Sequence, residues 1–256
     1  MNYKKISKRI RYQFLELIEK GLKYHIGGTA SCIDILVVIF YSKIISLKKI
    51  NRDNFILSKG HALGALHAIL IDQKLISQNN LIKLHKSGKI GSQIDIFNLK
   101  KFMDWNTGSL GHSIGVSIGF AISNPQKKIW TMIGDAEIDE GSVWEGLFFI
   151  SEKKINNIII IIDRNKISAT AKIDKKEVLD KKFLNQLNLN IFRINGHDHS
   201  DIYKCLIKSK KSKKSSIIIA NTVKGKGFGV VENNLDYSVN LPNKNILKKI
   251  KNSYEK

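Results

Sequence analysis

"IWTMIGDAEIDEGSVWEGLFFISEKKINNIIIIIDRN", Ile129 to Asn165, carries the pattern from which the fold is read. An apolar run of strand length ends on Gly134-Asp135. A helical stretch, "EGSVWEGLFFISEKK", begins at Glu140, and five consecutive isoleucines, Ile158 to Ile162, then run into Asp163-Arg164-Asn165. A strand that is apolar at every position is buried on both faces, as in a parallel sheet covered by helices on both sides. Strand, helix and strand in this order make a βαβ unit, whose right-handed crossover places both strand ends on one edge. Open α/β sheets bind ligands at that edge.

The same alternation extends outward. "NFILS" (Asn54 to Ser58) predicts a short strand, followed by a helix over "KGHALGALHAILIDQKL". "LNIFRING" and "SSIIIANT" predict two more strands, separated by a helix starting near His199. "ASCIDILVVIFYSKII" (Ala30 to Ile45) reads as a buried helix, and "GSLGHSIGVSIGFAIS" (Gly108 to Ser123) as a Gly/Ser-spaced one. The expected fold class is α/β, a parallel sheet with helices on both faces. With only two prolines, no long linker and no internal repeat, residues 1–256 are expected to form a single domain with an N-terminal helix and a short C-terminal tail.

A formal net charge of +21 invites a nucleic-acid reading. The excess is almost all Lys, scattered and accompanied by Ile and Asn, while Arg, the preferred base reader, is scarce. The densest cluster, "KSKKSKKSS" (Lys208 to Ser216), reads as the end of a helix entering a loop. Solvated surface is the better account, and no nucleic-acid partner is expected. Cys32 and Cys205 lie far apart in apolar contexts, which suits neither a disulfide framework nor a zinc site and fits a reducing compartment. The N-terminal stretch lacks the apolar core of a signal peptide, and Glu16 and Glu19 argue against a transit peptide. No segment reaches membrane-spanning length without charge, so a cytoplasmic protein without a membrane partner is expected.

Chemistry concentrates at the two strand ends. Asp135 and Asn165, carried by neighbouring strands, would reach one crevice as a carboxylate and an amide oxygen. Hard oxygen ligation of this kind suits Mg²⁺, with phosphate oxygens completing the shell. Gly134 permits close backbone approach, and a helix starting near Glu140 offers N–H groups to an anion. The competing account is that such acids merely cap the next helix. Glu137 and Asp139 read as helix-start acids. His197 and His199 in "NGHDHSD" could pair on a metal, but a polar turn with Ser200 or Asp201 near a helix start is the better reading. "KGKGFG" reads as a mobile loop near the site.

Gly134-Asp135, Glu140-Gly141, Trp144-Glu145 and then Asn165, taken together, resemble the thiamin-diphosphate motif of the transketolase family. "YHIGGTASCIDIL" (Tyr24 to Leu36), "ILSKGHALGALHAIL", "NTGSLGHSIGVSIGFA" and "NTVKGKG" (Asn221 to Gly227) are similar, in order, to further family segments and cover nearly the whole chain. The resemblance implies a thiamin-diphosphate-binding fold and transfer of a two-carbon ketol unit from a ketose or its phosphate to an aldose. It implies that Asp135, Asn165 and the carbonyl of Ile167 hold Mg²⁺. Gly134, Ala136 N–H and His61 would line the diphosphate, and the backbone of Gly108, Ser109 and Leu110 the aminopyrimidine. His25 and His61 would contact reacting hydroxyls or relay protons, and Glu140 would link to the catalytic acid of a partner domain.

Several positions depart from the family pattern. Ala136 stands where Gly is usual, Gln93 and Ser238 stand in place of expected histidines, and His112 replaces a Gln. The resemblance covers the first portion of a full-length transketolase. It therefore implies a separate C-terminal subunit carrying the pyrimidine-binding domain, in an oligomer of twofold symmetry such as a heterotetramer, and inactivity without that partner. The Gly-His-Ser at 111–113 also looks like deoxyxylulose-phosphate synthases, and the missing histidines leave open a cofactor-binding subunit without turnover.

Overall fold

Five strands form one sheet: β1 (Asn54–Leu57), β2 (Ile129–Gly134), β3 (Ile158–Arg164), β4 (Asn190–Asn195) and β5 (Ser216–Asn221). All pairings are parallel, in the spatial order β1-β2-β3-β5-β4. The computed structural model describes residues 1–48, 51–90, 102, 104–173, 179 and 181–255. Gln93, expected to stand in for a histidine, lies outside the described residues.

The isoleucine run divides between two cores, as its two-sided burial requires. Ile159 and Ile161 join Trp130, Met132 and Ile218 beneath α1 (Tyr3–Glu19), α2 (Ile26–Tyr41), α3 (Leu63–Asp72) and α8 (His199–Lys211). Ile158, Ile160 and Ile162 face the other way, with Ile133, Ile217 and Ile219, beneath α5 (His112–Ser123) and α6 (Gly141–Glu152). Each fully buried Ile contributes about 1.5–3 kcal/mol relative to exposure. β3 thus fastens both layers, which fixes the register on which the strand ends depend. That register pairs Gly134 with Asp163 and Asp163 with Ala220, so the C-terminal ends of β2, β3 and β5 stand level.

Element boundaries differ from the sequence reading where small residues blur the pattern. α2 starts at Ile26 rather than Ala30, taking Gly27 and Gly28 into its first turn. The segment after β1 begins as a 3-10 turn, Gly60–Ala62, before α3. α5 starts at His112, leaving Gly108 to Leu110 as loop backbone. α4 (Gln78–Lys86), the short α7 (Lys181–Leu184) and α9 (Lys244–Glu255) were not expected. α9 replaces the expected tail: Leu247 and Ile250 are buried in the core shared with α1.

Candidate functional site

The level strand ends bring Asp135 and Asn165 to one turn. Asp135 is buried (2% exposed), and its two oxygens accept from Ala136 N–H at 3.0 Å and Lys166 N–H at 2.6 Å. Lys166 is left-handed (φ 65°), which folds the chain back so that Asn165 Oδ1 accepts from Ile167 N–H at 3.2 Å. Asn165 Nδ2 faces Asp163, 3.4 Å away, which orients the amide with its oxygen toward the turn. The Asp135 carboxylate and the Asn165 amide oxygen thereby both bond to one short turn that also carries Ile167, and the three residues border one cavity. Among the described residues no three His, Cys, Asp or Glu side chains are placed to hold a metal. A cation here would rest on mixed oxygen donors, the set that suits Mg²⁺.

Beneath the turn lies a buried polar network. Asp163, at the end of β3, is fully buried and accepts from Lys59 Nζ, from Thr222 Oγ1 and from Ser31 Oγ at 2.6 Å. Burial disfavours its charge, but the Lys59 ammonium and these donors hold its carboxyl below the usual range. Asp135 has no such partner: burial, with the charge of Asp163, pushes its carboxyl up. A buried carboxylate in this condition fits a divalent cation, which would favour its ionised form. Lys224 follows β5, and its Nζ donates to the Ile167 and Ser168 carbonyls at 2.8 and 3.0 Å. Burial, with Lys59 nearby, lowers its pKa to about 8.

Glu137 is not a helix-start acid facing solvent. Its side chain is buried (1% exposed) and accepts from Ser58 Oγ, from Gly111 N–H at 3.0 Å and from Gly134 N–H at 3.2 Å. It ties the end of β2 to the loop leading into α5. Asp139 is exposed, as a helix-start acid would be.

His25, His61, Gly108, Leu110, Gly134, Asp135, Ala136, Asn165 and Ile167 all line one cavity of about 270 Å³, together with Lys224 and Ser238. Their rings 5.8 Å apart, His25 and His61 meet edge to face. Burial, reinforced by Lys59, His25 and Lys224, holds the His61 imidazole well below its ordinary pKa, so it is neutral near pH 7. Burial and Lys224 likewise lower His25, against a hydrogen bond to the Ser238 backbone. Gly28 makes room for the His61 ring, since a Cβ there would lie 2.6 Å from His61 Cδ2. Ser238 Oγ is buried and has no hydrogen-bond partner among the described residues.

Ser109 is exposed and Glu140 half-buried, and neither lines the cavity. Glu140 caps α6 without a side-chain hydrogen bond, packed against Gly111, where a Cβ would lie 2.8 Å from its own. His112 is exposed at the first turn of α5. Ala136 does not carry a positive φ, so the methyl in place of the usual glycine introduces no backbone strain. Its N–H already donates to Asp135.

The "KGKGFG" segment is packed rather than loose: Phe228 is fully buried, and Gly225 N–H donates to the Gly27 carbonyl at 3.0 Å. His197 and His199 do sit at a capped turn, with Asp198 accepting from Ser200 and Asp201 N–H. They also converge on buried Asp34, His197 Nδ1 at 2.7 Å and His199 Nε2 at 3.2 Å, beside the Arg11 guanidinium. His197 Nε2 accepts from Val223 N–H, leaving it no lone pair for a metal. This cluster borders a broader cavity of about 890 Å³, distinct from the strand-end site.

Sequence reasoning gave no role to Lys59, Asp163 or Lys224. The signal for them was a place inside a quoted family segment or, for Asp163, at the end of the isoleucine run, which by itself does not reveal burial.

A family described as "Transketolase, thiamine diphosphate binding domain" matches residues 2–251. The chain is 28% identical to one of the subunits of apulose-4-phosphate transketolase from Phocaeicola vulgatus, over 88% of this chain and 84% of that protein. It is 30% identical to 6-deoxy-6-sulfo-D-fructose transketolase subunit SqwG of a Clostridium species, over 88% of this chain and 86% of that one. Against human transketolase it is 28% identical over 90% of its length, but spans only 38% of that chain. Transketolase from Campylobacter jejuni superposes with a TM-score of 0.86 at 28% identity, covering 97% of this chain and 42% of the other. The Leishmania mexicana enzyme has the same TM-score at 19% identity, a likeness of fold.

Proposed function

The chain belongs to the transketolase thiamine diphosphate-binding family, and from that premise we propose that it is the diphosphate-binding subunit of a two-subunit transketolase. The observation that supports this reading is the turn bonded to Asp135 and Asn165, which lines one cavity together with Ile167, His25 and His61. Asp135, Asn165 and Ile167 would hold Mg²⁺. Gly134, Ala136 and His61 would line the diphosphate, and Gly108, Ser109 and Leu110 the aminopyrimidine. When bound, thiamin diphosphate supplies the electron sink that carbon–carbon bond cleavage in a ketose needs. The chain's own part is to position and to move protons. His25 and His61, neutral at physiological pH, can each accept a proton from a sugar hydroxyl and return it.

The substrate is a ketose or ketose phosphate as donor and an aldose as acceptor. Ser238 in place of a family histidine, and relatives named for apulose-4-phosphate and a sulfofructose, favour a sugar outside the common pentose phosphates. Residues 1–256 act as one domain in this reading. Two buried free cysteines fit a reducing, cytoplasmic setting, and among the described residues no helix is long and apolar enough to cross a membrane.

A separate subunit with the pyrimidine-binding domain would complete the site. Relatives of this length are named as subunits, and Leu110 and Val239 at the cavity rim, with Ile122, Phe148 and Phe149 on α5 and α6, are large apolar side chains left exposed. Glu140 beside Gly111 stands at that face. Twofold symmetry, as in a heterotetramer, follows from pairing two copies of each chain.

Mixing the purified chain with its partner subunit, thiamin diphosphate and Mg²⁺ should produce glycolaldehyde transfer between sugars and no pyruvate decarboxylation. Full activity from this chain alone would overturn the split reading. Calorimetry showing no uptake of thiamin diphosphate and Mg²⁺ in the complex would favour a degenerate subunit.

A further inference from the structure

Lys224 is seated rather than free. It is 5% exposed, and its stem lies against the first turn of α2, where a Cβ on Gly27 would come within 3.0 Å of Cγ and 3.2 Å of Cε. The next residue is locked to the same turn through Gly225 N–H and the Gly27 carbonyl. From this seat the ammonium group donates to the carbonyls of Ile167 and Ser168, at 2.8 and 3.0 Å. The Ile167 carbonyl is the oxygen that a divalent metal would share with Asp135 and Asn165.

We propose that Lys224 is a resident counter-cation that competes with the divalent metal for the Ile167 carbonyl, so that metal binds tightly only together with a diphosphate. This rests on the cofactor reading above. A Mg–O bond is about 2.1 Å long, so a metal on Ile167 would stand within a few ångströms of an ammonium bonded to the same oxygen. The two charges repel strongly at that range in a buried setting. Nor is the site short of positive charge: Lys59 pairs with Asp163, and Lys224 feels both Asp135 and Asp163. The third acid, Glu137, is enclosed by Ser58, Gly111 and Gly134. A dication arriving alone therefore finds one carboxylate, Asp135, without a salt-bridge partner among the described residues, against the two ammonium groups of Lys59 and Lys224. Arriving with a diphosphate, it brings its own counter-charge, and the phosphate oxygens offer Lys224 a stronger acceptor than a carbonyl.

All the residues concerned lie on this chain, so the purified chain is the right species to test. Free Mn²⁺, followed by its electron paramagnetic resonance signal, is titrated with and without inorganic pyrophosphate. The wild-type chain should bind Mn²⁺ weakly alone and at least about tenfold more tightly with pyrophosphate present. Lys224→Met should bind Mn²⁺ alone about tenfold more tightly than wild type and lose most of the enhancement by pyrophosphate. Lys224→Arg, which keeps the charge, should stay near wild type, and Lys224→Gln replaces the Met variant should that one not fold. Binding of Mn²⁺ alone that is equal or weaker in the neutral variants overturns the competition. No uptake of Mn²⁺ with pyrophosphate, by the chain alone and by its complex with the partner subunit, overturns the cofactor reading itself.

Discussion

Both oxygens of Asp135 are committed to backbone N–H groups, and this is how one carboxylate shapes a turn thirty residues further along the chain. Through Lys166 N–H it holds the left-handed step between Asn165 and Ile167, two residues that line the cavity with it. Asn165 depends in turn on Asp163, which fixes which end of its amide faces the turn. Asn165→Ala should therefore weaken binding of Mn²⁺ with pyrophosphate by about 10–100-fold, the range for lost metal-site groups, with the thermal midpoint little changed. Equal affinity in calorimetry would remove Asn165 from the site. Ala136→Gly is the opposite case. Because Ala136 already has an ordinary φ, glycine should leave binding unchanged and lower stability by about 0.4–1 kcal/mol through the unfolded chain. Denaturant titration of the two proteins checks it. At Gly28 an added methyl meets the His61 ring. Gly28→Ala should impair pyrophosphate binding more than metal binding, and equal effects on both would mean that His61 does not face the diphosphate.

Between elements, the Lys59–Asp163 pair joins the loop after β1 to the end of β3, with Ser31 of α2 and Thr222 after β5 bonded to the same carboxylate. Both side chains are fully buried, so removing one partner strands a charge. Lys59→Met alone should cost about 3–5 kcal/mol, and Lys59→Met with Asp163→Leu should recover much of that loss. Urea titrations of both variants measure it, and a double variant no better than the single would show that the pair is held by more than its mutual charge. The double variant should still bind metal poorly, since Asn165 has lost the group that orients it. None of this was legible in the sequence, for a physical reason. Periodicity reveals strands and helices because burial repeats along the chain, and Asp135 and Asn165 could be found because they end such repeats. Lys59 and Asp163 are 104 positions apart and meet only when β1, β2 and β3 pair. Glu137 was misread for the same reason: it precedes a helix in sequence, but its donors come from Ser58, Gly111 and Gly134. α9, by contrast, was legible, since Ile246, Leu247, Ile250 and Tyr254 recur at helical spacing and all pack on the core.

Across the whole molecule, burial lowers the pKa of several histidines, and this gives folding a pH dependence. His67, packed under Tyr24 and fully buried, has its pKa lowered to about 3 by burial, and His25 and His61 are lowered as well. In the unfolded chain each returns to about 6.5. For His67, between these values the unfolded state binds a proton that the folded state does not, so its share of stability is fully present above about pH 6.5 and falls as the pH drops toward 3. His67 contributes a slope of about 1.4 kcal/mol per pH unit in that window, and His25 and His61 act in the same direction. Asp34 adds to the loss at lower pH. Burial works against its charge, but His197, His199 and Arg11 hold its carboxyl well below the usual range, and acid must protonate it on unfolding. His67→Gln keeps an acceptor for the Tyr24 hydroxyl, 2.7 Å from His67 Nδ1, while removing the titrating group. Urea midpoints measured from pH 7 to pH 4.5 should fall in both proteins, but less steeply in the variant, by about one proton's worth of slope. Parallel slopes would mean that His67 is protonated in the folded chain, and would require water or a second partner at its Nε2, which has no hydrogen-bond partner among the described residues.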